Sequence, residues 1–414
     1  MLSAPLVHGA YRGGPSHHPG FSLVCDFKRG LYRRGAGRGR MVTDFLQLPG
    51  ASYVRSGADL IVQTPAGLRR FAANVPPIVP GYGMECPEGT TNVCTNHNFA
   101  GASLDGLSAS VPGSSALPLV SRVARGDLPG PVLAALNSED PLGYVTHVTR
   151  VQSDAMAASQ GCVCLGDIGV LTPSTASIFA YVVTGAGSVV LDANLSSLGQ
   201  TALLSGFKRT ELTITPDSTG RRLRTRNLSG VNPAEWYFFG NQFEPKAQAT
   251  PVVPVAGAQA SRGDPLAQVV GLDATFMRPF TLVGMGKGRP ANGLSRVLAQ
   301  VDNGTNAGVE RLSISRTSTD VLSLVNGGGQ NLNSVAGFAG ALDVRAAGQY
   351  REDGLDLAVN GVSSEPRATT TLAARNRLTI GSSAAGTTVW YGPAEFVGLI
   401  SRPTTQAERE ALSA

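Results

Sequence analysis

The chain has 414 residues, a net charge of +5 and only 15% charged side chains. Glycine and proline supply 77 of the 414 positions, a turn former roughly every five or six residues, which excludes a helical bundle or coiled coil. A hydrophobic content of 42% suffices for a large core and excludes wholesale disorder, and no stretch approaches the ~20 uninterrupted apolar residues of a membrane helix.

The N-terminus, MLSAPLVHGAYRGG, lacks the basic start and apolar run of a secretory signal, so an unexported product is expected. Residues 1–75 hold ten Lys/Arg against three Asp, a net +7, leaving −2 for the rest. Only four of the 34 basic residues are lysine, a skew read as GC-rich coding rather than selection for nucleic acid.

Residues 1–44 are Gly/Arg-rich and carry DFKRGLYRRGAGRGR, from which no core is expected. Lys28, Arg29, Arg33, Arg34, Arg38 and Arg40 lack the interleaved aromatics of a single-strand binder, having only Tyr32. They are read as docking onto an acidic protein surface, the alternative being a solvated loop. Residues 45–100 read as hairpin strands followed by a Pro-fixed extended crossing, a connector. Between 101 and 245, period-two runs such as GYVTHVTRVQ, ASIFAYVVT and EWYFFGNQF, with no convincing helix, predict an antiparallel sandwich or jelly roll. Residues 246–264 carry no alternation and read as an ordered linker.

Residues 265–414 repeat the all-β texture, with Asn360-Gly361 as a type I′ hairpin signal. The one helix expected lies at the end, where Thr405 can cap and Glu408 sits three residues on. The fold class is therefore all-β: an irregular or hairpin attachment region, two antiparallel β-sandwich (jelly-roll) modules and a short C-terminal helix.

Catalytic patterns are missing. There is no G-x-S-x-G, no histidine follows His147, and Gly284-Met285-Gly286-Lys287-Gly288 lacks the Ser/Thr of a phosphate loop and reads as a turn. Glu352, Asp353 and Asp356 are the only clustered carboxylates, and a turn glycine interrupts them. No enzyme, cofactor or metal site is predicted. Calcium, to which Asp302, Asn303 and Asp320 would contribute oxygens, is not expected. Among the five cysteines, Cys86 and Cys94 read as a reduced pair, with a small disulfide as the alternative. Exposed Trp or Tyr can stack on sugar rings, so Trp236, Tyr237, Trp390 and Tyr391, with Asp353, are the glycan-binding candidates. The alternative is that these aromatics anchor the core.

The stretch from Ala51 to Phe99 resembles the connector of tailed-bacteriophage and prophage virion proteins. There an A-S-x-Y hairpin leads to A-A-N-x-P-R and an L-L-x-E-x-x-x-T-N segment. Ala51-Ser52-Tyr53, Ala72-Ala73-Asn74-Val75-Pro76, Glu85 and Thr91-Asn92 match these in order. The family's next module is a carbohydrate-binding-like jelly roll, to whose closing motif Phe239-Gly240-Asn241-Gln242-Phe243-Glu244, Pro254 and Arg262-Gly263-Asp264 correspond. Its last module is similar to a concanavalin-A-like (laminin-G-like) sandwich, matched by the hairpin at Asp353 to Gly361 and the closing strand and helix. Residues 1–44 fall outside the resemblance, and the Cys86 to Cys94 loop departs from the family's Leu/Arg-rich version.

The resemblance implies a virion attachment segment at 1–44, a β-hairpin connector at 45–100, a carbohydrate-binding-like sandwich at 101–245, a linker at 246–264 and a concanavalin-A-like sandwich at 265–414. It further implies a tail fibre, spike or head fibre located in the virion, docked by its N-terminus to tail, baseplate or capsid proteins. Host cell-surface polysaccharide is the outward partner, a homo-oligomer (a trimer first) the assembly, with no nucleic acid and no membrane insertion. Two rivals are a decoration protein without a ligand, in which Trp390 and Tyr391 would be buried, and a polysaccharide-degrading enzyme.

Overall fold

The computed structural model describes residues 20–35, 39–96, 98–110, 117–154, 159–169, 171–193, 198–230, 232–272, 279–289, 293–304, 311–326, 330–333, 343–368, 375–386 and 388–414. The chain folds into two compact units, both discontinuous in sequence. A split unit holds Met1–Arg55, Asn74–Glu88 and Asp264–Ala414, and an inserted unit holds Ser56–Ala73 and Gly89–Gly263. Both are built of antiparallel sheets, as the period-two runs predict.

In the split unit one sheet orders the strands Gln330–Asn333, Leu322–Asn326, Arg311–Arg316, Arg296–Asp302, Arg377–Ile380, Leu266–Val270 and Ala51–Val54. The other runs Val362–Ser363, Gly354–Val359, Asp343–Tyr350, Phe280–Lys287, Gly392–Ile400, Leu23–Asp26, Leu31–Arg34 and Met41–Val42. Alternation divides the second sheet between two faces. Leu23, Leu282, Leu357 and Leu399 join Leu298, Ile314 and Leu324 of the first sheet in the main core. Val24, Val283, Phe396 and Ile400 point the other way and are covered by Leu412, which lies on helix α2 (Gln406–Ser413). Thr405 caps α2 as expected, its side chain accepting from the Glu408 N–H at 3.2 Å. Asn360 and Gly361 both take positive φ, 47° and 81°, as a type I′ turn requires.

The N-terminal stretch departs from expectation. Leu23–Asp26 is buried at every position and pairs with the closing strand, Leu23 opposite Leu399 and Asp26 opposite Phe396. Phe27, Tyr32 and Phe45 form one aromatic group with ring centroids 5.5–5.7 Å apart. A core forms because the long basic side chains lie along the sheet and deliver their charged heads to carbonyls. Arg33 Nη2 donates to the Phe21 carbonyl at 3.3 Å, and Arg34 Nη1 donates to that of Pro49 at 2.9 Å. Gly284-Met285-Gly286-Lys287 is no turn either: it lies in a central strand. A Cβ on Gly288 would come within 2.7 Å of the Trp390 ring, so glycine there makes room for the indole.

In the inserted unit one sheet runs Leu119–Ala124, His147–Ser153, Ala234–Glu244, Ser174–Thr184 and Lys208–Ile214, and the other Leu107–Ser110, Gly161–Cys164, Arg224–Asn227, Val189–Asp192 and Gln200–Ala202. Trp236 and Phe238 enter the core with Cys162, Ile178 and Leu191. Tyr237 and Phe239 face the opposite side, which is also covered. Helix α1 (Gly130–Glu139) brings Val132 and Leu136, and the hairpin of Leu60–Thr64 and Gly67–Phe71 brings Ile61 and Leu68. Helix α1 was not expected. It follows Pro129 and carries proline in its first turn, where a missing N–H costs nothing.

Of residues 246–264, expected as a linker, all but Asp264 are instead part of this unit. Val252, Val253 and Val255 are buried, Val252 and Ile61 exchange backbone hydrogen bonds at 3.0 Å, and Ala260–Arg262 pairs with Thr90–Asn92. Four buried asparagines hold the stretch. Asn92 Nδ2 donates to the carbonyls of Asn241 and Val253, both at 3.1 Å. Asn98 donates to the same two and accepts from the Val255 N–H at 3.0 Å. Asn96 and Asn241 pair with each other.

Candidate functional site

The aromatic glycan candidates are core residues. Trp236 is fully buried, its indole N–H donating to Thr225 Oγ1 at 3.1 Å. Tyr237 is buried beneath α1 and the hairpin, its hydroxyl donating to Glu235 Oε1 at 2.9 Å. Trp390 is buried against Gly286 and Gly288. Tyr391, also buried, has two guanidiniums against its ring, those of Arg289 and Arg296 at 5.3 and 5.1 Å from the centroid. No ring face of these four is offered to a sugar, since all four are buried. Asp353 alone of the set is exposed, and it pairs with Arg351 at 3.2 Å.

Two of the three carboxylates of the enzyme rival, Asp353 and Asp356, are paired with arginine, and Glu352 is exposed. Asp356 is buried and accepts from Arg351 Nε at 2.8 Å, with Arg409 at 3.6 Å. Asp302, weighed for calcium, has its oxygens taken by Arg377 Nε, Gln300 Nε2 and the Gly304 N–H, each at 2.8 Å. Among the described residues no group of three or more His, Cys, Asp or Glu could hold a metal ion, and no helix is long and apolar enough to cross a membrane. All five cysteines are buried and free, Cys86 in the split unit and Cys94 in the inserted one. Burial pushes every thiol up, Cys94 and Cys162 to about 12.

The six basic docking candidates are dispersed. Arg33 is buried, Arg34 is spent on the carbonyls of Pro49, Val270 and Gly271, Arg40 is exposed, and Arg38 lies outside the described residues. Lys28 and Arg29 come together at the rim of a hollow of about 570 Å³ in the split unit. Met285, Phe396 and Leu412 supply its apolar lining, and Arg345 and Glu395 complete the rim. Lys28 pairs with Glu395 at 3.0 Å and Arg29 with Asp26 at 3.5 Å. Sequence reasoning missed Arg345 and Glu395, since only strand pairing brings them beside residues 26–29.

No family model matches the chain, and no curated protein matches it. Among solved structures, the CBM40 of the Ruminococcus gnavus IT-sialidase bound to α2,3-sialyllactose aligns with 34% of this chain and 85% of its own, at 18% identity and a TM-score of 0.28. Its complex with α2,6-sialyllactose covers 34% and 87%, at 17% identity and 0.29. A botulinum neurotoxin type C structure, described in terms of cell entry dependent upon two ganglioside molecules, covers 34% and 38%, at 10% identity and 0.27. These likenesses extend over about a third of the chain.

Proposed function

We propose that the chain is a fibre- or spike-type appendage subunit of a tailed-bacteriophage particle, docked through its N-terminal region and presenting its β-sandwich units to host-cell polysaccharide. The observation that carries this reading is where most of the family landmarks fall: at or near the places where the chain passes between its two units. Ala51-Ser52-Tyr53 lies in the edge strand before the first passage and pairs with Leu266–Val270. Asn74 begins the return. Its side chain accepts from the Arg55 N–H at 3.0 Å, its own N–H donates to the Arg55 carbonyl at 3.2 Å, and its φ is +60°, a conformation that Asn tolerates and bulkier residues resist. Asn92 and Asn241, from the two later landmarks, meet in the buried amide cluster. The landmarks therefore carry the two-unit architecture, and their shared order supports common descent with such appendages.

A second reading, a decoration protein without a ligand, is favoured by the burial of Trp390 and Tyr391. Labelled full-length protein mixed with host cells separates the two. An appendage that adheres to glycan binds the cells and is displaced by their purified surface polysaccharide. A decoration protein binds purified particles and leaves the cells bare.

A further inference from the structure

We propose that a small cavity in the inserted unit is a subsite for one neutral hexose, held by Asp59, Arg70 and Tyr144. The assignment rests on the glycan-adhesion reading above and gives it a location. The hollow holds about 260 Å³ and opens to solvent, a size that seats one sugar ring and falls below the roughly 300 Å³ at which drug-sized pockets begin.

Its polar side comes from the hairpin. Asp59 directly precedes the Leu60–Thr64 strand, and Arg70 lies opposite Ile61 on the partner strand. Arg70 Nε donates to Asp59 Oδ2 at 2.7 Å. This contact holds both side chains while leaving Asp59 Oδ1 and both terminal guanidinium nitrogens without a protein partner among the described residues. The Tyr144 hydroxyl is likewise unengaged among them. Phe99, Pro254 and Val255 supply the apolar lining.

The frame is fixed before any ligand arrives. Asn98 anchors Val255, Ile61 anchors Val252, and the Phe99 carbonyl accepts from the Thr146 N–H at 2.9 Å. Preorganisation of this kind lowers the cost of binding. The charges decide the class of ligand. Asp59 and Arg70 sum to zero and offer an acceptor beside two donors, which suits a pair of neighbouring sugar hydroxyls, each both donor and acceptor. An anionic sugar would bring its carboxylate against Asp59.

The test is ligand-observed saturation-transfer NMR on the full chain with methyl α-D-glucopyranoside, methyl α-D-galactopyranoside, methyl α-D-mannopyranoside and 3′-sialyllactose. At least one neutral hexoside is expected to bind at millimolar concentration. Asp59→Asn and Arg70→Gln are each expected to weaken it tenfold or more, with the melting temperature unchanged because both side chains are partly exposed, and Tyr144→Phe less so. Equal hexoside binding by the variants overturns the assignment. So does tighter, Arg70-dependent binding of 3′-sialyllactose. Failure of every hexoside while the chain still binds host cells removes this site and leaves the adhesion reading standing; failure of both removes both.

Discussion

Asn96 and Asn241, both buried, exchange two side-chain hydrogen bonds: Asn96 Nδ2 donates to Asn241 Oδ1 at 3.1 Å, and Asn241 Nδ2 donates to Asn96 Oδ1 at 2.6 Å. The pair joins the start of the inserted unit's main segment to the Ala234–Glu244 strand. Asn241→Ala removes both of these buried hydrogen bonds, and a buried polar group that loses its partner costs about 1–3 kcal/mol. A loss of about 2–5 kcal/mol is expected in urea denaturation. Adding Asn96→Ala should recover part of it, because the partners are coupled.

The thiols are expected to be silent in the native state. A thiol reagent at pH 8 should react with none of the five cysteines until denaturant is added, and with all five afterwards. A native-state reaction would show that the sheets open locally.

Alkali should weaken the fold. Burial raises the folded-state thiol values above the unfolded ~8.5, and burial, with the hydrogen bond to Glu235, raises Tyr237 to about 12. Protonated forms are thus favoured in the folded state. Their contribution is complete below pH ~8.5 and is lost as pH climbs towards about 12. The urea midpoint should fall between pH 8.5 and 10.5 and recover on return.

Glu235 works in the acid range. Burial pushes its carboxyl up, but hydrogen bonds from Arg150 and Tyr237 outweigh it and hold the value below the ordinary one. Its contribution is therefore present above the unfolded value of ~4.3 and is lost as pH falls through the lower folded value. Glu235→Gln should lower stability at pH 7 and flatten the profile below pH ~4.3, where variant and wild type converge.

Trp390 is expected to be a packing residue. Trp390→Ala should cost about 3–5 kcal/mol, and wild-type tryptophan emission should lie at the blue, water-excluded end. A Trp390→Ala variant of native stability that had lost glycan binding would instead make the indole a ligand contact.

Much of the fold was legible because alternation reports on faces. The all-β class, the Asn360-Gly361 turn and the Thr405 cap follow from local chemistry. Alternation does not say what covers a face, so Tyr237 looked free to meet a ligand until α1 and the hairpin proved to cover it. Helix α1 was hidden because Leu128-Pro129-Gly130-Pro131 reads as a turn. The Leu23–Asp26 strand was hidden by the arginines that follow it, whose charge masked the inward path of Leu23, Cys25 and Tyr32. The cavity residues come from two separate stretches, Asp59 and Arg70 on the hairpin and Tyr144 far along the chain, and only the folded inserted unit gathers them.

The most direct measurement is cryo-electron microscopy of purified particles, with the chain's abundance checked by mass spectrometry of the same sample. The expected result is symmetric density at the tail or baseplate, three copies per appendage as the first expectation, fitted by both units with the inserted-unit cavity facing outward. Absence of the chain from purified particles would contradict the appendage reading. A capsid-bound copy with its cavity turned against neighbouring proteins would support decoration instead.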